Sequence, residues 1–130
     1  MTKERRSAAI AAILLLSGCA ATLTKPGDTQ PHTVYRHSLT DVQKAAVTAL
    51  EENGFEIRTA NPDYVDGVRP HKPGMVGSGG ETAGVWLTAQ GAARTAVQVN
   101  TEMSLLGRYG QKNWDSEILA ELDKSVGPHE

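Results

Sequence analysis

Two neighbouring segments with alternating hydrophobic residues constrain the fold of this chain most strongly. In residues 83–89 and 95–103, valine and leucine recur at every second position, which is typical of half-buried β-strands. Four of these side chains would share one face of the pair: Val85, Leu87, Val97 and Val99. Residues 90–94 (QGAAR) would join the segments as a loop, so the sequence predicts an antiparallel hairpin.

An amphipathic helix is predicted in front of this hairpin. Its apolar residues recur at spacings of three and four: Leu39, Val42, Ala46, Ala49 and Leu50. Ser38 or Thr40 can cap its start, and Thr40 with Gln43 forms a capping-box pattern. Asn53 and Gly54 are expected to end it, because glycine readily adopts the left-handed conformation found after helices.

Shorter segments complete the pattern. Strands are predicted at residues 33–37, 55–59 and 64–69, with a turn at Asn61-Pro62-Asp63. In residues 55–59, the predicted alternation places three side chains on one face: Phe55, Ile57 and Thr59. A second helix should follow Asn113 as its cap, with an apolar residue at every fourth position: Trp114, Ile118, Leu122 and Val126.

The resulting element order is β-α-β-β-β-β-α. Hairpin-connected strands with two amphipathic helices predict a two-layer α+β domain, in which both helices cover one face of an antiparallel sheet. An all-β sandwich is the weaker alternative because both helical patterns are well formed.

The N-terminal region has the pattern of an export signal. Basic residues at Lys3, Arg5 and Arg6 precede an apolar run over residues 8–16. The uncharged region over residues 7–24 is just long enough to suggest a membrane span, but its second half consists mostly of small residues. A signal peptide over residues 1–18 is therefore favoured over a membrane-spanning helix.

Residues 16–19 (LSGC) contain Cys19, the only cysteine of the chain, and resemble the lipobox of bacterial lipoproteins. This resemblance implies that Cys19 receives a diacylglyceryl group, that a peptidase cleaves before it, and that fatty acids such as palmitate anchor the protein. Ala20 after the cysteine implies sorting to the outer membrane, with the domain facing the periplasm. The alternative is an unmodified cysteine in an uncleaved signal anchor. One chain with one cysteine forms no internal disulfide.

Cleavage would leave residues 19–130. The full chain has 13 basic and 15 acidic side chains, and residues 1–18 contain three basic and one acidic, so 10 basic and 14 acidic remain, a formal net charge of −4. This balance argues against nucleic-acid binding. Residues 19–31 are predicted to be a flexible tether spanning roughly 20 Å, and residues 32–130 one small domain.

The chain also resembles a family of small bacterial lipoproteins of unknown function. The similar segments are GVWLTAQGAARTAVQVNTEM (84–103) and GRYGQKNWDSEIL (107–119). The resemblance covers roughly residues 33–126. It implies the same location and fold, but it supplies no catalytic residue.

Common catalytic and metal-binding motifs are not found. The segment PGMVGSGGET (73–82) lacks the Gly-Lys-Ser/Thr of a phosphate-binding loop. No nucleophile elbow is present, and Glu51-Glu52 is read as a solvated helix end. The histidines have no ligand spacing: His32, His37, His71 and His129. No metal or cofactor is expected.

The predicted topology places two glycine-rich loops, 70–82 and 104–112, on one edge of the sheet. Five basic residues lie in these loops or directly before them: Arg69, His71, Lys72, Arg108 and Lys112. Because the second helix would begin beside them with free N–H groups, this proposed rim is a candidate site for a phosphate, a lipid headgroup or a cell-wall carboxylate. The alternative is that these side chains are only solvated.

Trp86 is predicted to lie on the opposite face from Val85 and Leu87. An exposed tryptophan there is a candidate partner contact, and the alternative is that a loop covers it. Together these features predict a membrane-anchored, non-catalytic binding or accessory module of the cell envelope, with an envelope protein or anionic envelope ligand as partner. The alternative is a small-ligand binder or hydrolase acting near the membrane.

Overall fold

The computed structural model describes residues 23–70, 79–104 and 111–130. The elements in these residues follow the predicted order β-α-β-β-β-β-α, so the predicted α+β class is confirmed. The strands are β1 (Thr33–Tyr35), β2 (Glu56–Asn61), β3 (Tyr64–Val68), β4 (Thr82–Gly91) and β5 (Arg94–Glu102). The helices are α1 (Leu39–Glu52) and α2 (Asp115–Val126).

The five strands form one antiparallel sheet in the order β1-β5-β4-β3-β2. The predicted hairpin is confirmed as β4 and β5, in which Val85 pairs with Val99 and Leu87 with Val97. Its turn is shorter than predicted because Gly91 pairs with Arg94. The hairpin lies in the middle of the sheet and carries the apolar face onto which the helices pack.

Helix α1 begins and ends at predicted residues. Ser38 is its cap, with Oγ accepting a hydrogen bond of 3.2 Å from the Asp41 amide, so Thr40 lies inside the helix. At the other end, Gly54 has a φ of 88°, and its amide donates to the Glu51 carbonyl. Neither helix in the described residues is long and apolar enough to span a bilayer.

The core lies between the helices and the inner face of the sheet. From the helices it contains Val42, Ala45, Ala46, Ala49, Leu50, Ile118 and Leu122, and from the sheet Tyr35, Val65, Ala83, Val85, Leu87 and Val97. This arrangement confirms that both helices pack against one face of the sheet. The opposite face of the sheet is called the outer face below.

Strand β2 departs from the predicted alternation. The pairing shifts at Arg58, so Ile57 lies opposite Gly67 while Thr59 lies opposite Asp66. Directly opposed residues share a face, and the bulge therefore moves Thr59 to the outer face. The prediction that Thr59 shares the face of Ile57 was wrong, because an alternating pattern does not reveal one inserted residue.

Residues 24–30, called the strap below, lie against the outer face. The side chain of Asn100 donates a 2.9 Å hydrogen bond to the carbonyl of Thr24, and Gln98 donates one of 3.0 Å to the carbonyl of Gly27. The amide of Gln30 closes a turn on the same Gly27 carbonyl. This part of the predicted tether is therefore hydrogen-bonded to strand β5.

Candidate functional site

The bases of the two predicted loops meet at one edge of the sheet. Val68 at the end of β3 pairs with Thr82 at the start of β4, and Thr82 pairs in turn with Glu102 at the end of β5. The side chain of Gln111 links the flanking segments, because its Nε2 donates to the Gly79 carbonyl and to Ser104 Oγ. The edge thus brings three distant parts of the sequence together.

Glu81 is the buried charge at this edge, with no solvent exposure. Arg69 Nη1 lies 3.1 Å from each carboxylate oxygen, and Trp114 Nε1 donates to Oε2 at 2.7 Å. The amide of Lys112 donates to the same oxygen at 3.4 Å. These donors satisfy a carboxylate that would otherwise be costly to bury.

Trp114 is the platform on which the cations of this edge pack. Arg69 Cζ lies 4.3 Å and Lys112 Nζ 4.2 Å from a ring centroid of the indole, within the range of cation–π interaction. Phe55 packs edge-on against the same side chain at 6.1 Å. We call Arg69, Glu81, Lys112 and Trp114 the loop-base cluster.

The loop-base cluster also reaches helix α1. Arg69 Nε donates to the carbonyl of Asn53, the residue that ends the helix. Arg69 is accordingly mostly buried, with 17% of its side chain exposed. One arginine therefore connects the end of α1, the end of β3 and the carboxylate of Glu81.

The environment keeps Glu81 ionised. Burial raises its pKa, but the hydrogen bonds from Trp114 and from backbone amides, together with the charge of Arg69, outweigh burial and leave the pKa below its ordinary value. A completely buried, fully bonded carboxylate is not accessible to a substrate. Its physical effect is to hold the two loop bases and the start of α2 together.

The first turn of α2 is also occupied by internal partners. The amide of Trp114 donates to Thr101 Oγ1, and the amide of Asp115 donates to Asn113 Oδ1 at 2.8 Å. The cap position is occupied by Trp114, which makes no side-chain capping hydrogen bond, so the prediction that Asn113 caps this helix was wrong. Asn113 lies one residue earlier, and its side chain closes a turn on the Asp115 amide. Burial raises the pKa of Asp115, against the lowering effect of hydrogen bonds from Thr101 and Asn113. These two amides are not free for an anion.

Of the proposed anion-binding rim, two residues are described and both already contact carboxylates. Arg69 pairs with Glu81, and Lys112 Nζ lies 2.9 Å from Glu117. The other three lie outside the described residues: His71, Lys72 and Arg108. The structure places the two loop bases side by side, and anion binding by the rim stays a prediction.

Sequence reasoning missed Glu81 because it placed residue 81 within a glycine-rich loop. The residue lies directly before β4, where the chain enters the core, and it is buried against Arg69 and Trp114. The sequence does contain a signal for this position, because Glu81 lies between the GSGG segment (77–80) and the small, strand-forming residues that follow it.

Trp86 lies on the outer face, as predicted from its position in β4, and it is half-buried. It is directly opposite Tyr64 on β3, with ring centroids 5.2 Å apart. A Cβ atom added to Gly84 would lie 2.9 Å from Cη2 of Trp86 and 3.2 Å from Cδ1 of Leu23. The ring therefore lies close over the bare backbone of Gly84, next to Leu23.

A second buried carboxylate, Asp66, lies beside this aromatic pair. Its Oδ2 accepts hydrogen bonds from Tyr64 at 2.9 Å and from Arg58 at 3.0 Å. Burial and then the hydrogen bond to Asp66 raise the pKa of Tyr64. Within the described part of the chain, Asp66 Oδ1 has no hydrogen-bond partner.

The histidines that can be located are dispersed. His32 is exposed before β1, His37 is half-buried before α1, and His129 bonds to Asp123, which also accepts from the Tyr35 hydroxyl. His71 lies outside the described residues. Across residues 23–70, 79–104 and 111–130, no group of three or more His, Cys, Asp or Glu could hold a metal ion.

No protein-family model matches the chain, and a search of curated proteins finds no match.

Proposed function

We propose that this chain is a lipid-anchored lipoprotein of the bacterial cell envelope, acting as a non-catalytic binding or accessory module. The observation that carries the proposal is the position of Cys19, which follows small residues at the end of an apolar run. Such a cysteine is the attachment point of bacterial lipoproteins. The protein is proposed to be cleaved before Cys19 and held in the outer membrane, with its domain in the periplasm.

The physics of anchoring supports a permanent attachment. Each buried CH₂ group of an acyl chain contributes about 0.8 kcal/mol, so one chain binds a membrane reversibly and two or three chains bind it stably. Leu23, the first described residue, lies against the domain, and Cys19 precedes it by only four residues. The anchor would therefore hold the domain directly beside the membrane.

The charged groups at the sheet edge pair with one another, and this supports an accessory role in which the protein acts as a scaffold. An anion at Arg69 would have to replace Glu81, which is buried and accepts hydrogen bonds from both Arg69 and Trp114. Internal pairing of this kind rigidifies the bases of the two loops. These rigid loop bases are the feature that a scaffold for a partner would require.

Replacement of Cys19 tests the anchor. Cys19→Ser should give an unlipidated precursor that keeps residues 1–18, because serine has no sulfur to accept the diacylglyceryl group. Ser17→Ala is the matched control, since it keeps a small residue before the cut and should be processed normally. Intact mass spectrometry of membrane-extracted protein measures both. An unmodified Cys19 with residues 1–18 still attached in the unaltered protein would refute the proposal.

A further inference from the structure

The outer face carries an apolar patch next to the point where the described chain begins. The patch consists of Leu23, Tyr64 and Trp86, in which the two aromatic rings pack across β3 and β4 and Leu23 approaches Gly84. Beside it lies a shallow hollow of about 400 Å³ whose lining includes Lys25 and Asp63. The patch is thus apolar at its centre and nearly balanced in charge around it.

The strap fixes where the anchor can be. Asn100 and Gln98 hold the carbonyls of Thr24 and Gly27 on the outer face. Gln98 is itself buried, with 4% of its surface exposed, so the donor side of this contact is shielded from water. The chain that leads toward Cys19 therefore departs from the outer face and not from the helical side.

The length of the remaining chain limits the distance to the membrane. Four residue steps separate Leu23 from Cys19, and a fully extended chain covers at most about 14 Å over four residues. An acylated Cys19 must lie at the lipid surface, so Leu23, which belongs to the patch, must lie within that distance of it. The helices, on the other face of the sheet, are further away.

We infer that the patch of Leu23, Tyr64 and Trp86 rests on the lipid surface that holds the anchor, so that the sheet faces the bilayer and the helices face the periplasm. Tryptophan favours this position because its ring is apolar while its N–H can remain hydrated, and Tyr64 adds an apolar ring whose hydroxyl is already bonded to Asp66. Since Lys25 and Asp63 beside the patch carry opposite charges, the patch does not require an anionic lipid and can rest on a zwitterionic surface. The inference rests on the proposed anchor at Cys19.

The two tryptophans of the chain provide a matched test. The complete lipidated protein is reconstituted into phosphatidylcholine vesicles with or without brominated acyl chains, which quench nearby indoles. Trp114→Phe leaves Trp86 as the reporter, and Trp86→Phe leaves Trp114. Fluorescence of Trp86 should be quenched several-fold more strongly than that of Trp114. Equal quenching, or stronger quenching of Trp114, would overturn the inference and leave the patch available to a protein partner.

A second measurement covers the case in which Trp114→Phe fails to fold, since Trp114 bonds to Glu81. Thr88→Cys on the outer face and Ala120→Cys on α2 are both at exposed positions. Nitroxide labels at these two positions should differ in their accessibility to membrane-dissolved oxygen. The label at residue 88 should be the more accessible one. The reverse order would overturn the inference.

Vesicle flotation separates the two proposals. Protein that does not float with vesicles indicates failure of the anchor at Cys19. Protein that floats without quenching of Trp86 leaves the anchor intact and refutes the orientation.

Discussion

At the scale of single residues, Glu81 is the side chain on which the sheet edge depends most. Its carboxylate is completely buried and contacts Arg69, Trp114 and the Lys112 amide. Removing one partner of a buried ion pair costs more than the pair contributes, because the other charge remains buried without compensation. The cluster is therefore sensitive to any change that keeps Arg69 and removes its counter-charge.

Glu81→Gln should lower the free energy of unfolding by about 3 kcal/mol, because the neutral amide leaves Arg69 unpaired in a mostly buried site. Glu117→Gln is the matched control. The side chains of Glu117 and Lys112 are 40% and 52% exposed. Loss of this ion pair should therefore lower the free energy of unfolding by less than about 1 kcal/mol. Urea denaturation measures both. Equal costs for the two variants would contradict the role assigned to Glu81.

The same prediction has a pH signature. The pKa of Glu81 is lowered in the folded protein, so its contribution to stability is present above the ordinary glutamate pKa. This contribution is lost as the pH falls through the folded pKa. The stability difference between the unaltered protein and Glu81→Gln should consequently shrink in acid. A constant difference across that range would mean that the shape of the glutamine, and not its lost charge, is responsible.

At the scale of elements, periodicity was sufficient where an element has one buried face. The period of α1 and the alternation of β4 and β5 predicted the correct faces, since Leu50, Val85 and Val97 are all in the core. It failed where geometry depends on a single residue, as at the bulge next to Thr59. It also missed the strap, because residues 24–30 are bound through polar side chains and carry no hydrophobic period.

Substitutions on the buried faces of α1 and α2 test directly whether these faces are assigned correctly. Ile118→Asp should abolish cooperative folding, because it places an unpaired charge at a fully buried position, and this cost of several kcal/mol approaches the total stability of a small domain. Leu50→Asp should act in the same way from α1. The control is Ala120→Asp on the exposed side of α2. Circular dichroism during heating measures all three, and a sharp transition in Ile118→Asp would show that the core face is misassigned.

At the scale of the whole molecule, the sheet has a tyrosine hydroxyl bonded to a carboxylate on each side. Tyr35 extends from β1 under the helices and donates to Asp123 at 2.8 Å, whereas Tyr64 lies on the outer face and donates to Asp66 at 2.9 Å. Burial, followed by the hydrogen bond to a carboxylate, raises the pKa of both above the ordinary value. The two hydroxyls can therefore report whether both faces of the sheet are lost together.

Alkaline titration should unfold the domain as one unit. The unfolded chain releases tyrosine protons near pH 10, whereas the folded chain retains those of Tyr35 and Tyr64. Their contribution to stability is therefore complete below about pH 10 and decreases above it, with a limiting slope of about 1.4 kcal/mol per pH unit for each residue. In a Tyr109→Phe background, which removes the third tyrosine of the chain, tyrosinate absorbance and loss of helical circular dichroism should coincide. The Tyr35→Phe/Tyr64→Phe double variant, which has no hydroxyl to ionise at either position, should show a shallower decline. An unchanged slope in the double variant, or ionisation of Tyr64 before any loss of helix, would mean that the outer face opens independently of the core.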